Sequence, residues 1–179
     1  MKALVRRLAW GVMASVAGCG SVTGESAPET VTLCLPLGER TVPLEAELAR
    51  RPSQRQEGLS ERSRLARRAG MLFVYPHQQA PTNSFWMHQT PIPLSILFLD
   101  GQGVVRSIQD MAPCRDNQGA GCPSYQAGVT HWMALEVNQG LPQALGITQG
   151  DTVTLARESE QASCDSSRPL TPGALPEAY

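Results

Sequence analysis

The sequence predicts a mainly β single domain with two short helices, arranged as a partly open barrel or a sandwich. Three observations favour this class. About eight short stretches have the apolar or alternating pattern of strands. Turn signals that contain Gly or Pro separate these stretches, and only two segments have a helical pattern. The domain is predicted to span residues 31–157, a length that can bury a hydrophobic core.

The strand patterns begin at the start of this domain. Residues 31–35 and 41–48 flank the turn sequence Pro36-Leu37-Gly38-Glu39, and together they predict a hairpin. Asp100-Gly101-Gln102-Gly103 predicts a second hairpin turn, in which Gly adopts positive φ without steric cost. The remaining strand patterns lie at residues 71–75, 84–88, 94–99, 104–111, 133–137 and 152–156.

The two predicted helices are short and have recognisable ends. Residues 52–57 carry Pro52 in the first turn, where proline is tolerated, and Gly58 follows as a terminator. In residues 141–145 the two terminal leucines share one face, and Gly146 ends the helix. Strands therefore dominate the predicted domain.

The N-terminus has the three parts of a bacterial secretory signal, which predicts that residues 1–18 are a signal peptide. Lys2, Arg6 and Arg7 precede an apolar run over residues 8–17, about half the ~20 residues that span a bilayer. The run ends in Val16-Ala17-Gly18-Cys19, which resembles the lipobox of bacterial lipoproteins. This resemblance implies that Cys19 carries a lipid (palmitate) and begins the mature chain. The alternative is an ordinary secreted protein.

A lipid on Cys19 would anchor the protein to a membrane of the bacterial cell envelope, facing the periplasm or the surface. Gly20 replaces the Asp usually associated with inner-membrane retention, so the outer membrane is favoured if the organism has one. Residues 19–30 lack periodicity and predict a flexible tether. Residues 158–179 predict a disordered tail, although a disulfide at Cys164 would pin its first part.

The charge of the mature chain argues against nucleic acid as a partner. Removal of the signal leaves twelve basic and sixteen acidic residues, a net charge of −4. One cluster of basic residues has no aromatic residue interleaved with it: Arg62, Arg64, Arg67 and Arg68. This cluster is typical of a solvated face, with contact to anionic headgroups as the alternative.

Four further cysteines in an exported chain favour disulfide bonds. Cys114 and Cys122 bracket a polar, Gly-rich loop that cannot pack by itself, so a bond between them is expected. Cys34 and Cys164 would then join the two ends of the domain, with free thiols as their alternative. Zinc is disfavoured because there is no C-x-x-C and no pair of histidines, and no metal or cofactor is predicted.

Four sequence blocks stand out together in order and spacing. They are Arg55-Gln-Glu-Gly58-Leu59, Gly70-Met-Leu-Phe-Val74, Phe85-Trp-Met-His-Gln-Thr90 with Pro93-Leu-Ser-Ile-Leu-Phe-Leu-Asp100, and Leu135-Glu136…Gly140…Gly146-Ile…Gly150-Asp151. Together they closely resemble the bacterial and archaeal domain-of-unknown-function family 192, over most of residues 40–156. The resemblance implies a compact, β-rich domain, often exported, without a known cofactor and with an unsettled biochemical role.

This sequence departs from the family pattern at three positions. Ser60 stands where members usually have Met, and Gln89 stands where they usually have Asn. Ser95 replaces the Asp usual after the Trp-Met block. The missing carboxylate weakens any proposal that the family shares acid–base chemistry at this position.

The candidate binding residues are Trp86, His88, Thr90, Glu136 and Arg115. Strand alternation places Trp86, His88 and Thr90 on one face, which thus carries an aromatic ring, an imidazole and a hydroxyl. Such a set suits a glycan or another small polar ligand, because the ring stacks while the polar groups fix orientation. The alternative is that Trp86 belongs to the core and His88 is hydrogen-bonded at a strand end.

Glu136 stands in an otherwise apolar strand pattern. An unpaired buried carboxylate costs several kcal/mol, so we expect Glu136 to be exposed, paired, or capping backbone amides. The expected partners are Arg55, Arg115 or the N–H groups of the Gly140 turn. The resemblance to the family implies that Glu136 lies close to the Trp86 block.

The sequence favours a binding protein over an enzyme. It has no G-x-S-x-G elbow, no Gly-rich phosphate loop and no H-E-x-x-H helix, so no catalytic residue is assigned. Two alternatives remain: an uncharacterised hydrolase that uses His88 and Glu136, and a module that docks onto another envelope protein through an apolar patch.

Overall fold

The computed structural model describes residues 27–115, 121–157 and 164–176. The predicted signal peptide, Cys19 and the tether up to residue 26 lie outside the described residues. Within the described ranges, no helix is both long and apolar enough to cross a membrane.

The described chain is mostly β-structure. Its strands are β1 (Thr30–Leu37), β2 (Arg40–Ala49), β3 (Ala69–Gln79), β4 (Ser84–Trp86), β5 (Leu94–Leu99), β6 (Val105–Met111), β7 (Ser124–Gln126), β8 (His131–Asn138), β9 (Thr154–Ala156) and β10 (Ser167–Pro169). Its helices are α1 (Pro52–Glu57), α2 (Leu141–Leu145) and a 3-10 turn at Pro172–Ala174. The prediction of a mainly β domain with two short α-helices is therefore confirmed.

The principal sheet is open rather than closed into a barrel. It has eight strands in the order β10-β9-β1-β2-β3-β8-β5-β6, and β4 pairs with β7 in a separate two-stranded sheet. The ends of the large sheet approach each other at one corner, where Val104 and Thr152 form an isolated bridge. The Val105 amide also donates a 2.8 Å hydrogen bond to the carbonyl oxygen of Asp151. The sheet is thus strongly curved without full closure.

The predicted β1–β2 hairpin is present, but β2 and β3 run parallel, which the strand list alone did not predict. A parallel pair needs a crossover connection, and here the crossover contains α1. Helix α1 directly follows the C-terminal end of β2, so it lies at the end of the sheet toward which both strands run. The parallel pairing is therefore what places the residues of α1 near the candidate site.

The large sheet is covered with apolar side chains on both faces. On β8, Met133, Leu135 and Val137 point into one hydrophobic cluster, together with leucines of β1, β2, β3 and β5. Ala134 belongs to the opposite cluster, which contains Phe73, Phe85 and Phe98. Because successive side chains on a strand alternate between faces, Glu136 lies on the same face as Ala134.

The small β4–β7 sheet covers this second face. Phe85 of β4 packs edge-on against Phe73 and Phe98, with ring centroids 5.0 and 5.6 Å apart. The strand predicted for residues 84–88 ends at Trp86, since the chain turns immediately afterwards. The three residues of β7 were not predicted as a strand, because Ser-Tyr-Gln has no distinguishing pattern.

Both expected disulfides are present, Cys114–Cys122 and Cys34–Cys164, so the alternative of free thiols at Cys34 and Cys164 is wrong.

The prediction of a disordered tail over residues 158–179 is wrong for residues 164–176. Cys164 is bonded to β1, and β10 then pairs with β9. Leu170 and Leu175 are buried in the core, so apolar contacts reinforce the covalent attachment.

Candidate functional site

A cavity of about 780 Å³ opens over the second face of the sheet, where α1 approaches the end of β4. Four of the five predicted site residues line this cavity: Trp86, His88, Thr90 and Glu136. Arg115, the fifth, is exposed and is not among the lining residues. It follows β6 and the bridge that Cys114 forms with Thr90.

The alternation predicted for residues 85–90 is observed over residues 85–87 but ends at the following turn, where Gln89 lines the cavity as well. Phe85 and Met87 are buried in the second hydrophobic cluster, whereas the Trp86 side chain is 56% exposed. The alternative that placed Trp86 in the core is therefore wrong. Of the large hydrophobic residues in the described ranges, Trp86 alone is classed as exposed. An aromatic ring left open to solvent beside a cavity is a typical element of a ligand site.

A tight turn over Met87–Thr90 redirects the chain after β4. The Thr90 amide donates a 3.0 Å hydrogen bond to the carbonyl oxygen of Met87, and Gln89 has φ of 54°. Positive φ at the third position of a four-residue turn is typical of type II turns, which favour Gly or Asn there. The turn holds the His88 side chain next to Trp86 rather than two residues further along an extended strand.

His88 stacks on Trp86, with ring centroids 4.7 Å apart and 17° between the ring planes. Two hydroxyl groups fix the backbone beneath this pair. Thr90 Oγ1 and Ser60 Oγ donate hydrogen bonds of 3.2 and 3.3 Å to the His88 carbonyl oxygen. The stacked rings thus form a platform whose position is fixed from two separate segments of the chain.

Glu136 is the buried acidic group of the site. It pairs across the sheet with Met71 of β3 and Ile96 of β5, so its carboxyl group rises from an apolar wall. The residue is 6% exposed, and burial alone raises the pKa of Glu136 to about 8. At neutral pH the side chain is therefore a neutral carboxylic acid, able to donate as well as accept a hydrogen bond.

None of the partners expected for Glu136 pairs with it. Arg55 lines the same cavity, but its guanidinium lies over the Tyr75 ring, 5.0 Å from the centroid. Arg55 also donates hydrogen bonds to the carbonyl oxygens of Arg50 and Val74. Among the described residues, the ion pairs are Arg62–Glu47 and Arg106–Asp100, and neither involves Glu136. The acid is thus balanced by protonation instead of by a cation.

The backbone amide of Gly140, the other expected partner, is bonded elsewhere. It donates a 3.1 Å hydrogen bond to Ser95 Oγ, and the Ser95 hydroxyl donates to Asp110 Oδ1 at 2.5 Å. Ser95 and Asp110 together place a carboxylate near the start of α2. The position at which the family usually carries Asp therefore has a structural role here, on the face of the sheet opposite to Glu136.

Tyr75 links the cavity to the protein interior. Burial raises the pKa of Tyr75 to about 12, the Arg55 charge opposes this rise, and Glu136 adds to it. The Tyr75 ring also packs edge-on against His131, with centroids 5.7 Å apart. His131 is fully buried, and burial lowers the pKa of its imidazole. The phenol is therefore a neutral hydroxyl group at the wall of the cavity.

Several lining residues were missed by sequence reasoning, namely Tyr75, Glu57 and Glu61. Glu57 ends α1, and Glu61 lies in the following turn, so only the crossover between β2 and β3 brings them here. The one available signal was the block Arg55–Leu59, which the family resemblance singled out without giving its position. Across the described ranges, no group of three or more metal-ligating side chains is assembled.

Comparison with known proteins gives a consistent result. The profile of DUF192, a family of uncharacterised ACR proteins, matches residues 35–155. A solved structure from Sinorhizobium meliloti 1021, described as a candidate transcription regulator, is 30% identical with a TM-score of 0.64, and the match covers 74% of this chain and 98% of that one. A protein of unknown function from Novosphingobium aromaticivorans is 28% identical with a TM-score of 0.61, covering 80% of this chain and 99% of that one. No curated protein matches.

Proposed function

The chain belongs to the DUF192 family, and from this premise we propose that it is a lipid-tethered binding protein of the bacterial envelope whose cavity takes a small polar ligand such as a saccharide. The observation that carries the proposal is the convergence of Trp86, His88, Thr90 and Glu136 on one cavity. These residues come from two separate segments of the chain, residues 86–90 and strand β8. An indole ring, an imidazole ring, a hydroxyl group and a buried carboxyl group thus meet at one cavity.

The dimensions and lining of the cavity suit a small molecule. Its volume of about 780 Å³ lies within the ~300–1,000 Å³ typical of ligand sites. The exposed Trp86 ring offers an apolar stacking surface, as saccharides require for their C–H faces. Ser60, Ser84 and Tyr75 add hydroxyl groups to the lining, and these can pair with the hydroxyls of a sugar.

The N-terminal sequence supports the proposed envelope location. A lipid on Cys19 and a tether to Thr30 would hold the domain within about 35 Å of the membrane surface, at ~3.3 Å per extended residue. The disulfides Cys34–Cys164 and Cys114–Cys122 suit an oxidising compartment. Both observations support a location of the protein outside the cytoplasm, close to envelope glycans.

The test is a fluorescence titration. Trp132→Phe leaves Trp86 as the tryptophan of the mature chain, so emission reports on the cavity. We expect saturable quenching by at least one member of a panel of envelope monosaccharides and disaccharides, and weaker binding of that ligand by Glu136→Gln. A flat response across the whole panel contradicts the saccharide proposal.

A hydrolase is the second candidate, favoured by one observation. A carboxyl group with a pKa of about 8 is protonated at neutral pH, as a general acid must be, and His88 lines the same cavity. Glu136→Gln and His88→Ala should each abolish hydrolysis of a responsive substrate in a glycoside and ester screen. Activity unchanged in both variants excludes this mechanism.

Two other roles have less support. Docking through an apolar patch would need several exposed large hydrophobic residues, and Trp86 stands alone in that class within the described ranges. The regulator role described for the Sinorhizobium protein would need a DNA-reading element. The α-helices of the described chain have six and five residues, and the cavity mouth carries Glu57 and Glu61.

A further inference from the structure

We infer, on the premise that the cavity binds a small polar ligand, that this ligand carries a cationic amine which pairs with the Glu136 carboxyl group. The class of ligand is then an amino sugar or a compact amino alcohol rather than a neutral or an acidic saccharide. The inference rests on the charges that line the cavity, on a buried acid that pairs with no side chain within the described ranges, and on the exposed indole ring.

The charged lining residues favour a cation. The described lining contains three carboxyl groups (Glu57, Glu61 and Glu136) and one guanidinium, that of Arg55. The guanidinium is already occupied by the Tyr75 ring and by two backbone carbonyl groups. Among the described lining residues acidic groups thus outnumber the single guanidinium, so a carboxylate or phosphate ligand would meet excess negative charge, whereas an ammonium group would meet compensating charge.

The buried acid supplies the specific anchor. Glu136 is 6% exposed, lies between Met71 and Ile96, and faces the cavity rather than a protein partner. A buried charge is tolerated when it is paired at close range. An ammonium group that enters the cavity would provide this pairing, so the carboxylate form becomes favourable only when such a ligand is bound.

The open ring of Trp86 favours the same class. A cation near the face of an indole ring is attracted by the ring quadrupole, and tryptophan is the strongest of the aromatic side chains in this respect. The Trp86 side chain is 56% exposed and lies beside a polar cavity. The Arg55–Tyr75 contact shows that a cation already lies over an aromatic ring elsewhere in the same lining.

Binding of this kind moves one proton. Below a pH of about 8 the Glu136 carboxyl group is neutral before binding. An incoming ammonium ion R–NH₃⁺ pairs with the carboxylate, and the proton from the carboxyl oxygen passes to the buffer. The other titratable or charged groups that face the cavity are Arg55 and Glu57 of α1, Glu61 of the following turn, Tyr75 of β3 and His88 after β4. A neutral saccharide would leave the proton on Glu136.

The experiment compares matched amine and hydroxyl ligands. Glucosamine with glucose, galactosamine with galactose, and ethanolamine with ethylene glycol are titrated calorimetrically at pH 6.5, in two buffers of different ionisation enthalpy. We expect at least one amine to bind about tenfold more tightly than its hydroxyl partner, with release of about one proton per ligand. In Glu136→Gln the preference should fall to about twofold and the proton release should vanish.

The outcomes separate this inference from the proposed function. Equal or tighter binding of the hydroxyl ligands overturns the inference and leaves a saccharide-binding cavity in place. Failure of every amine to bind also overturns it, whatever the neutral saccharides do. Amine preference that survives unchanged in Glu136→Gln contradicts the role given to this carboxyl group. The double variant Glu57→Gln/Glu61→Gln is the control, because removal of rim charge should weaken amines about twofold to threefold without changing proton release.

Discussion

The backbone amide of Glu61 donates a 2.7 Å hydrogen bond to the carbonyl oxygen of Gln89, and both residues have positive φ, 62° and 54°. In the described ranges they are the two non-glycine residues with positive φ, and both line the cavity. The hydrogen bond joins the turn after α1 to the turn that carries His88. Such backbone geometry costs about 1–2 kcal/mol per residue and concentrates at functional sites.

The first prediction concerns this backbone cost. Gln89→Asn should raise the free energy of unfolding by about 0.5–1 kcal/mol, because Asn tolerates positive φ better than Gln. Gln89→Val should lower the free energy of unfolding by more than this, since a β-branched residue fits the left-handed region poorly. Denaturant unfolding of the three proteins measures the effect. A stabilising Gln89→Val would contradict the backbone assignment.

The second prediction is a pH dependence that originates at Glu136. Burial raises the pKa of this carboxyl group to about 8 in the fold, above its usual value of 4.5, so the folded state binds the extra proton between these values. The free energy of unfolding therefore falls as pH rises from about 5 toward 8, and it levels off above. At ~1.4 kcal/mol per pKa unit, the fall amounts to several kcal/mol.

Glu136→Gln is the matched control for this pH dependence. Its neutral amide keeps the shape of the acid and does not titrate, so the fall between pH 6.5 and 8 should disappear. Burial lowers the pKa of the His131 imidazole, an effect that increases stability as pH rises toward 6.5. The variant should therefore show a small rise over this lower range. Parallel curves for the two proteins would contradict the assignment.

The third prediction contrasts two neighbours in β4. Phe85 is buried between Phe73 and Phe98, so Phe85→Ala should cost about 3–5 kcal/mol of stability. Trp86 is largely exposed, so Trp86→Ala should cost less than ~1 kcal/mol. The same substitution should remove ligand binding. Thermal unfolding checks both values. A large loss of stability in Trp86→Ala would show that the Trp86 ring is packed in the core.

The fourth prediction orders the two disulfides. Cys34 and Cys164 are 130 positions apart, whereas Cys114 and Cys122 are 8 apart. Chain entropy predicts that the long loop contributes about 5 kcal/mol and the short loop about 2.5 kcal/mol. Serine pairs at each bridge, compared by denaturant unfolding, give these losses. A larger loss at the short bridge would contradict the ordering.

The fifth prediction concerns the membrane anchor. Cys19→Ser should move the protein from the membrane to the soluble fraction, or leave the signal peptide uncleaved, because the thiol that receives the lipid is gone. Metabolic labelling with a palmitate analogue should mark the natural chain and not the variant. Ser21→Ala should keep both label and membrane fraction. An unlabelled natural chain contradicts the lipoprotein assignment.

Local patterns predicted much of the fold. The bounds of α1, α2 and β5 agree with residues 52–57, 141–145 and 94–99, because proline, glycine and continuous apolar runs mark their ends. Alternation also predicted that Trp86 is exposed between the buried residues Phe85 and Met87. Local pattern did not predict β10, since three residues held by Cys164 and by β9 owe their structure to distant contacts.

The candidate site was predictable only in part. Trp86, His88 and Thr90 share a face by local geometry, and the family resemblance placed Glu136 near them. The parallel pairing of β2 and β3 brings three further residues to the cavity: Tyr75, Glu57 and Glu61. No local sequence pattern predicts this pairing. The positive φ at Gln89 could not be predicted from the sequence either, because glutamine is not a typical turn residue.

The charge state of Glu136 is the most direct test of the binding site. Carboxyl ¹³C NMR, with the resonance assigned by its absence in Glu136→Gln, follows ionisation of this group in the free protein and with glucosamine. The account predicts a midpoint at a pH of about 8 in the free protein, and a lower midpoint when the amine is bound. A midpoint near the ordinary value of a glutamic acid in the free protein, unmoved by any ligand, would contradict it.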